Sequence, residues 1–567
     1  MVTGKAVWDE LRELKDSMFG TPLSVVDVGL VYEVNVSGDD VHIVVTLFNR
    51  GHVQVNSLMS AVRQKILGME GVGEVKVECA WEPAWTPDRL NDAARQALRF
   101  EQDDPPEGRL HVRSQKKASV AGSVAFDQRE LDRRPLLLPA DVWGLVDELP
   151  KDRFGRLRGG WRYFKRFDVA ETSGVARRAE PVHIEVAFAA GQIRDPLSEV
   201  RLVAADSGAE LRCQVDSPTI SGPADNTCTV VFLADLQPHE RKTLYLLYGN
   251  PSPACWAPSQ RSDLIVSGRG YALEIDNNFY TARLSPVMGQ LRNLRFKRWG
   301  KTSLGWDDPT PIDLTDAGND PESALDIAWH GEDSCIHWNP DFSDQLRYRI
   351  TNWPEPPNYS VVEGPLYTRI RRWGYPVCPV YPALPQTAVT IEVTYTFYSG
   401  LPYFTMESRL DVEEEVDINV IRNDEWLFRK AFSHTVSMMD GGEIAVDSEN
   451  GPSFEQNPAL VGFVQESDGD AFASLNLSYD SRGFPGAYHP KDRGLGTIHD
   501  NRIWVRWAFH ADGGAHTIEP GSTLGEYNAY LLYNAGEEGG HNQARDWYHQ
   551  LRNPLATSLP TGEEMRR

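Results

Sequence analysis

Two stretches of the chain carry the side-chain types that acid–base chemistry on a sugar needs. Trp329-His330-Gly331-Glu332-Asp333 and His337-Trp338-Asn339 set two indoles and two imidazoles beside carboxylates in one loop-like region. An indole covers the apolar face of a pyranose while polar side chains fix its hydroxyls, which makes Trp329, Trp338 and Asn339 candidate sugar contacts. The second stretch is Arg422-Asn423-Asp424-Glu425-Trp426, followed by His434, by Trp504-Val505-Arg506-Trp507-Ala508-Phe509-His510 and by Glu526-Tyr527. A β-eliminating lyase needs a cation or neutral acid to hold the substrate carboxylate, and a His, Tyr or Lys to remove the adjacent proton. His330, His337, Arg422, His434, His510 and Tyr527 are of these types and form the candidate catalytic set, expected to converge in one cleft. Asp424, Trp426 and Arg506 join the candidate substrate contacts. A glycosidase would need carboxylates opposed across a ring, which the adjacent Asp424 and Glu425 do not provide. The competing explanation is plain packing of the indoles, solvated imidazoles and an Arg506 that snorkels over a rim.

The easily recognised alternatives are missing. There is no P-loop, G-x-G-x-x-G, H-E-x-x-H or G-x-S-x-G. A formal net charge of -24 over 567 residues disfavours nucleic acid and anionic membrane as main partners. The first twenty residues are charged throughout, and no apolar run approaches the ~20 residues that span a bilayer; the expectation is a soluble, cytoplasmic protein. The six cysteines (Cys79, Cys213, Cys228, Cys255, Cys335, Cys378) are scattered without C-x-x-C spacing, so neither a disulfide framework nor a zinc knuckle is expected. No cofactor or metal is predicted.

The elements that must position these residues are strands. In Val389–Val412, Val389, Ile391, Val393, Tyr395 and Phe397 alternate with polar residues, Ser399, Gly400 and Pro402 break the run, and Phe404, Met406, Leu410 and Val412 resume it. That is a hairpin with one buried face, which calls for a second β layer. The fold class is multidomain: a small α+β N-terminal domain, then mainly antiparallel β. Residues 1–99 read as helix Ala6–Met18, strands Val31–Val36 and Val41–Phe48, helix Gln54–Leu67 and strand Val75–Ala80. Residues 100–160 lose periodicity and read as a linker whose later part, around Leu136–Leu138, docks on a neighbour. Residues 161–262 form a small β-barrel or sandwich, 263–553 a β super-sandwich and 554–567 a tail.

Three resemblances follow. Ser24-Val25-Val26-Asp27-Val28-Gly29-Leu30-Val31-Tyr32, the helix–strand order and Trp81-Glu82-Pro83-Ala84-Trp85-Thr86-Pro87-Asp88-Arg89 resemble the MIP18 or PaaD-like (DUF59) family of iron-sulfur assembly and target-maturation factors. The resemblance implies a docking role through Asp27, Trp81, Trp85 and Arg89. Family members commonly carry a cysteine in the loop after the second strand, where this chain has Thr46-Leu47-Phe48-Asn49-Arg50-Gly51-His52-Val53; thiolate is the soft ligand iron-sulfur chemistry prefers. His52 with His42 or Cys79 is the weaker metal-binding alternative. Residues 161–250 resemble the small β-barrel domain of YetA-like and exo-rhamnogalacturonan-lyase-like proteins. Tyr271–Leu294, Val362–Ile370 and the hairpin resemble the galactose-mutarotase-like super-sandwich. The implied partners are a carbohydrate or small glycoside and a protein bound through the N-terminal domain, with no nucleic acid and no membrane. The function expected is a carbohydrate-acting protein, lyase-like or glycoside-processing; the alternatives are a non-catalytic scaffold subunit and an iron-sulfur maturation factor.

Overall fold

The structure, a computed structural model, describes residues 2–15, 23–46, 55–80, 85, 89–97, 133–157, 160–220, 226–250, 262–270, 272–284, 291–297, 327–331, 335–337, 347–349, 358–374, 389–418, 420–428, 432–447, 453–454, 456–467, 469–484, 496–499, 501, 503–510 and 516–560. They form a multidomain, mainly antiparallel β protein with a small α+β unit at its front. No helix among them is long and apolar enough to cross a membrane.

In the N-terminal unit, helix Gly4–Arg12 begins where Thr3 Oγ1 accepts from Ala6 N at 3.2 Å, and it buries Val7 and Leu11. It ends at Arg12, short of the Met18 suggested by its apolar stripe. Strands Val31–Ser37 and Asp40–Val45 pair antiparallel through a turn that needs Gly38 at φ +67°. Helix Val55–Leu67 then carries the chain to Val75–Cys79, parallel to Asp40–Val45.

The described residues of the two motifs behind the N-terminal resemblance, Trp85 and Arg89 of the second among them, pack on each other. Asp27 accepts from Ser24 N at 2.9 Å, from Ser24 Oγ at 2.8 Å and from Asn91 Nδ2 at 2.7 Å. Trp85 Nε1 donates to Val28 O at 3.0 Å, and the Arg89 guanidinium lies 3.8 Å from the Tyr32 ring centre. Gly29 is obligatory there, because a Cβ would fall 2.5 Å from Arg89 O at φ +69°.

The next unit is a two-sheet sandwich, so of the two alternatives offered by the sequence the barrel is not the one observed. One sheet has the order Cys213–Ile220, Asn226–Leu236, Arg177–Phe188, Leu136–Leu138; the other runs Ala556–Ser558, Tyr163–Ala170, Arg241–Tyr248, Arg201–Ala204, Glu210–Leu211. Leu136–Leu138, in the stretch read as linker, is a strand parallel to Ile184–Val186, and Ala556–Ser558, in the stretch read as tail, pairs with Asp168–Ala170. Buried Arg177 ties these ends together. It donates to Glu171, Ser173 and Glu180 side chains and to the carbonyls of Gln550 and Asn553 at 2.7–3.0 Å.

The large unit holds a nine-stranded and a seven-stranded sheet, with a four-stranded sheet from Ile265 to Phe296 beside them. The hairpin lies inside the nine-stranded sheet as Val389–Tyr398 and Tyr403–Val412, in register from Val389↔Val412 to Phe397↔Phe404. Its neighbours are Tyr367–Gly374 and Thr523–Asn534. Val389, Ile391, Val393, Tyr395 and Phe397 are all at most 1% exposed and join the core; Thr394, Thr396, Thr405 and Glu407 fall on the opposite, wet face.

Candidate functional site

The wet face of the nine-stranded sheet is covered in part by the small sandwich. Gln214 clips them together: its Oε1 accepts from Leu366 N (3.0 Å) and Tyr367 N (3.1 Å), and its Nε2 donates to Tyr367 O (3.1 Å). Gly364 allows this approach, since a Cβ would meet the Gln214 amide at 2.1 Å. Between the two units lies a cleft of about 330 Å³, lined by side chains from both.

Its floor carries the hydroxyls of Thr394, Thr396 and Thr405 from the hairpin and of Tyr527 from the strand beside it, over buried Tyr398 and Tyr367. Strand alternation puts them there, because each lies one residue from a core-facing neighbour. The cations come next. Arg369 Nη2 is 2.5 Å from buried Asp216, which also accepts from Tyr367 OH at 2.6 Å. Arg133, from the stretch read as linker, pairs with Glu407 at 3.3 Å and stacks 3.6 Å over the Tyr527 ring. Burial opposes its charge, and Tyr527 and Glu407 more than restore it, so the guanidinium stays protonated. Arg369 and Arg133 side chains keep 31% and 36% exposure, enough to face a ligand.

His183, half-buried on Arg177–Phe188, lines the same cleft, its ring 6.2 Å from Tyr367's. Burial, with Arg369 and Arg133 nearby and Asp216 opposing, lowers its pKa to about 4. Its imidazole is therefore neutral at physiological pH, a weak base with a nitrogen lone pair. The cleft opens through Arg133, Glu407 and Tyr527 into a wider groove of about 770 Å³ that reaches Asp480 and Arg482.

Of the candidate catalytic residues, Tyr527 is in this cleft. His434 is not: it begins strand His434–Met438, three strands from that of Tyr527 in the sheet order, ~14 Å at the usual spacing. The two do not converge, and the His434 ring instead faces His541 at 5.5 Å. The backbone places Trp329, His330, His337, Arg422 and His510 on the seven-stranded sheet, with His337↔Val420↔His510 in one row. That sheet lies across the core from the cleft. Trp338, Asn339 and Trp81 fall outside the described residues.

Asp424, Trp426 and Arg506 are corrected outright. Each is 0% exposed, so none can meet a ligand from solvent. The pairing shift between Asn423↔Arg506 and Trp426↔Trp504 bulges Asp424, at φ +50°, into the core. There it accepts from Trp426 Nε1 (2.8 Å), Trp504 Nε1 (3.0 Å), Tyr530 OH (2.6 Å) and Ser474 Oγ (3.1 Å), and pairs with Arg506 at 3.2 Å. Arg506 also bonds buried Glu526. This polar core joins the two sheets. In the N-terminal unit Trp85, 6% exposed, is likewise a packing residue, and Asp27 is committed to its turn: burial opposes its ionised form, and the Ser24 and Asn91 bonds hold its pKa below the usual carboxylate value.

Sequence comparison bears first on that unit. Residues 5–77 match the family described as iron-sulfur cluster assembly protein. An Fe-S protein maturation auxiliary factor of Porphyromonas gingivalis is 32% identical over 80 residues, which are 14% of this chain and 76% of the relative. Through its N-terminal domain, the chain belongs to the iron-sulfur cluster assembly protein family. Two solved structures align with the β-rich part. A glycosyl hydrolase family 38 protein of Enterococcus faecalis aligns with 70% of this chain at 11% identity and a TM-score of 0.42, and this chain spans 48% of it. A putative aldose 1-epimerase of Klebsiella pneumoniae aligns with 51% of this chain and 88% of its own, at 12% identity and a TM-score of 0.30.

The family implies an iron-sulfur cluster as cargo, and the described residues of the domain do not fit one. Its cysteine, Cys79, is half-buried on the inner side of the sheet, and burial pushes its thiol up to about 11, so it is protonated and a poor ligand. His42 Nε2 is taken by Glu78 at 3.0 Å. His52 lies outside the described residues.

Proposed function

We propose that this chain acts on a carbohydrate in the cleft between the small sandwich and the wet face of the nine-stranded sheet, by acid–base chemistry of the lyase type. The observation that carries the reading is the meeting of a neutral imidazole, His183, with two guanidiniums, Arg369 and Arg133, above a floor of threonine and tyrosine hydroxyls. Hydroxyl-rich lining suits a polyhydroxylated ligand, the cations suit a sugar carboxylate, and the imidazole suits the proton next to it. In such an elimination His183 takes the proton α to the carboxylate, the electron pair forms the carbon–carbon double bond, and the C–O bond on the next carbon breaks. Its oxygen leaves with a proton from Tyr527.

The experiment incubates the full chain with digalacturonate and, separately, with lactose, following the ultraviolet absorbance of an unsaturated product. Absorbance from digalacturonate, abolished in His183→Gln and Arg369→Met, supports the reading. Binding of neither sugar, by calorimetry, removes it. The N-terminal domain serves as the docking module for a protein partner. Deleting residues 1–99 then leaves sugar binding intact and abolishes co-purification; a monomer from native extract contradicts the docking role.

A further inference from the structure

The groove of about 770 Å³ that continues the cleft has a bare patch in its floor. Three neighbouring strands of the nine-stranded sheet build that floor, and their register sets Gly525 between Arg409 on one side and Asp480 on the other. Paired residues share a face and strands lie ~4.8 Å apart, so the backbones of Arg409 and Asp480 stand about 10 Å apart with no side chain between them. Neither backbone nor packing requires glycine here. Its φ is outside the left-handed region, and a Cβ would meet Asp480 Cβ at 3.6 Å and Ser408 O at 3.7 Å, ordinary contact distances. A glycine inside a strand weakens it, and marks places where a ligand or another backbone comes close. Apart from its chain neighbours, no other described atom lies within 4 Å of that Cβ position, so no second backbone claims the space. That leaves a ligand.

Charge and continuity say what kind. Arg133, Arg134, Arg409 and Arg482 line the groove against Glu407 and Asp480; the remaining carboxylate of the lining, Glu526, is 3% exposed and bonded to Arg506. Asp411 holds Arg409 and Asp480 holds Arg482, but these guanidiniums are 54% and 68% exposed. Exposed pairs of this kind are weak, so a ligand carboxylate can share the cation. Arginines outnumbering carboxylates is a local reversal in a chain of net charge -24. The groove joins the cleft through Arg133, Glu407 and Tyr527, and Gly525 lies two residues from Tyr527 on the same strand, so one elongated ligand can run through both. We infer that the groove extends the cleft as binding subsites for an acidic oligosaccharide longer than a disaccharide, one ring resting on the bare backbone at Gly525 with its carboxylate toward Arg409 or Arg482. The inference rests on the cleft as the sugar site, and adds the length and charge of what it takes.

Calorimetry of the full chain with digalacturonate and tetragalacturonate tests it. The wild type binds the tetramer about tenfold more tightly than the dimer. Gly525→Val fills the bare patch with a side chain that strands favour, keeps the melting temperature and brings that ratio to about one; Arg482→Ala, at an exposed position, lowers it as well. Should valine lower the melting temperature, Gly525→Ala, whose one added carbon finds only ordinary contacts, is read in its place and also lowers the ratio. Equal affinity of the wild type for dimer and tetramer overturns the inference and leaves the cleft as the sugar site. A tenfold preference that the Gly525 variants retain overturns it too. Binding of neither oligomer removes the cleft reading and the inference together.

Discussion

The state of His183 can be read as a stability difference between two pH values. Its pKa is lowered from 6.5 to about 4, with burial the first cause and Arg369 the second. An imidazole depressed in the folded state contributes stability that is complete above the unfolded pKa and is lost as pH falls through the window from 6.5 to about 4. Between pH 7.5 and 5.5 the unfolded chain takes up most of a proton that the native protein refuses, a loss of about 1.3 kcal/mol. Partial exposure of the ring screens this, so about 1 kcal/mol is the figure to look for. Urea unfolding of wild type and His183→Gln at both pH values, followed by tryptophan fluorescence, isolates it, since every other group titrates alike in the two proteins. The wild type loses about 1 kcal/mol more than the variant on going to pH 5.5. Equal losses would falsify the burial of a neutral imidazole beside Arg369 and Arg133.

Other consequences are as direct. Arg506→Met strands Asp424 and Glu526 without their cation in the core and lowers stability by about 3–5 kcal/mol in chemical denaturation; a loss under 1 kcal/mol would mean that the two carboxylates are not buried together. Phe397→Ala, at a 0% exposed position inside the hairpin, costs about 3–5 kcal/mol by the same assay, and a near-neutral result contradicts the assigned facing of the strand. Arg177→Ala removes the bonds to Gln550 and Asn553, and protease cleavage after residue 550 should appear in the variant but not in the wild type. Cys79, with its thiol pushed up from 9.0 to about 11, reacts with iodoacetamide about 100-fold more slowly than an unfolded cysteine at pH 7; an ordinary rate removes the argument against thiolate ligation.

The hairpin was legible in the sequence because its period-2 pattern is long and its turn residues are clear; the register from Val389 to Phe397 follows that pattern residue by residue. The N-terminal unit was legible for the same reason, down to the two motifs that turn out to hold each other. The site was not. Asp424, Trp426 and Arg506 looked like ligand contacts because sugars and buried polar networks use the same residue types, and only the bulge at Asp424 sends them inward. Arg133 carried no signal, lying in an aperiodic stretch, and His183 and Arg369 sit on separate units whose meeting depends on Gln214 fitting over Gly364. The wet face of the hairpin was the available clue, since Thr394, Thr396, Thr405 and Glu407 alternate with core residues.

The most direct test of the cleft is a crystal structure of the full chain grown with digalacturonate. The account predicts the sugar between the small sandwich and the nine-stranded sheet, its carboxylate within ~3 Å of the Arg369 or Arg133 guanidinium and a ring carbon facing His183. A sugar ordered against the seven-stranded sheet, with the cleft left to solvent, would contradict it.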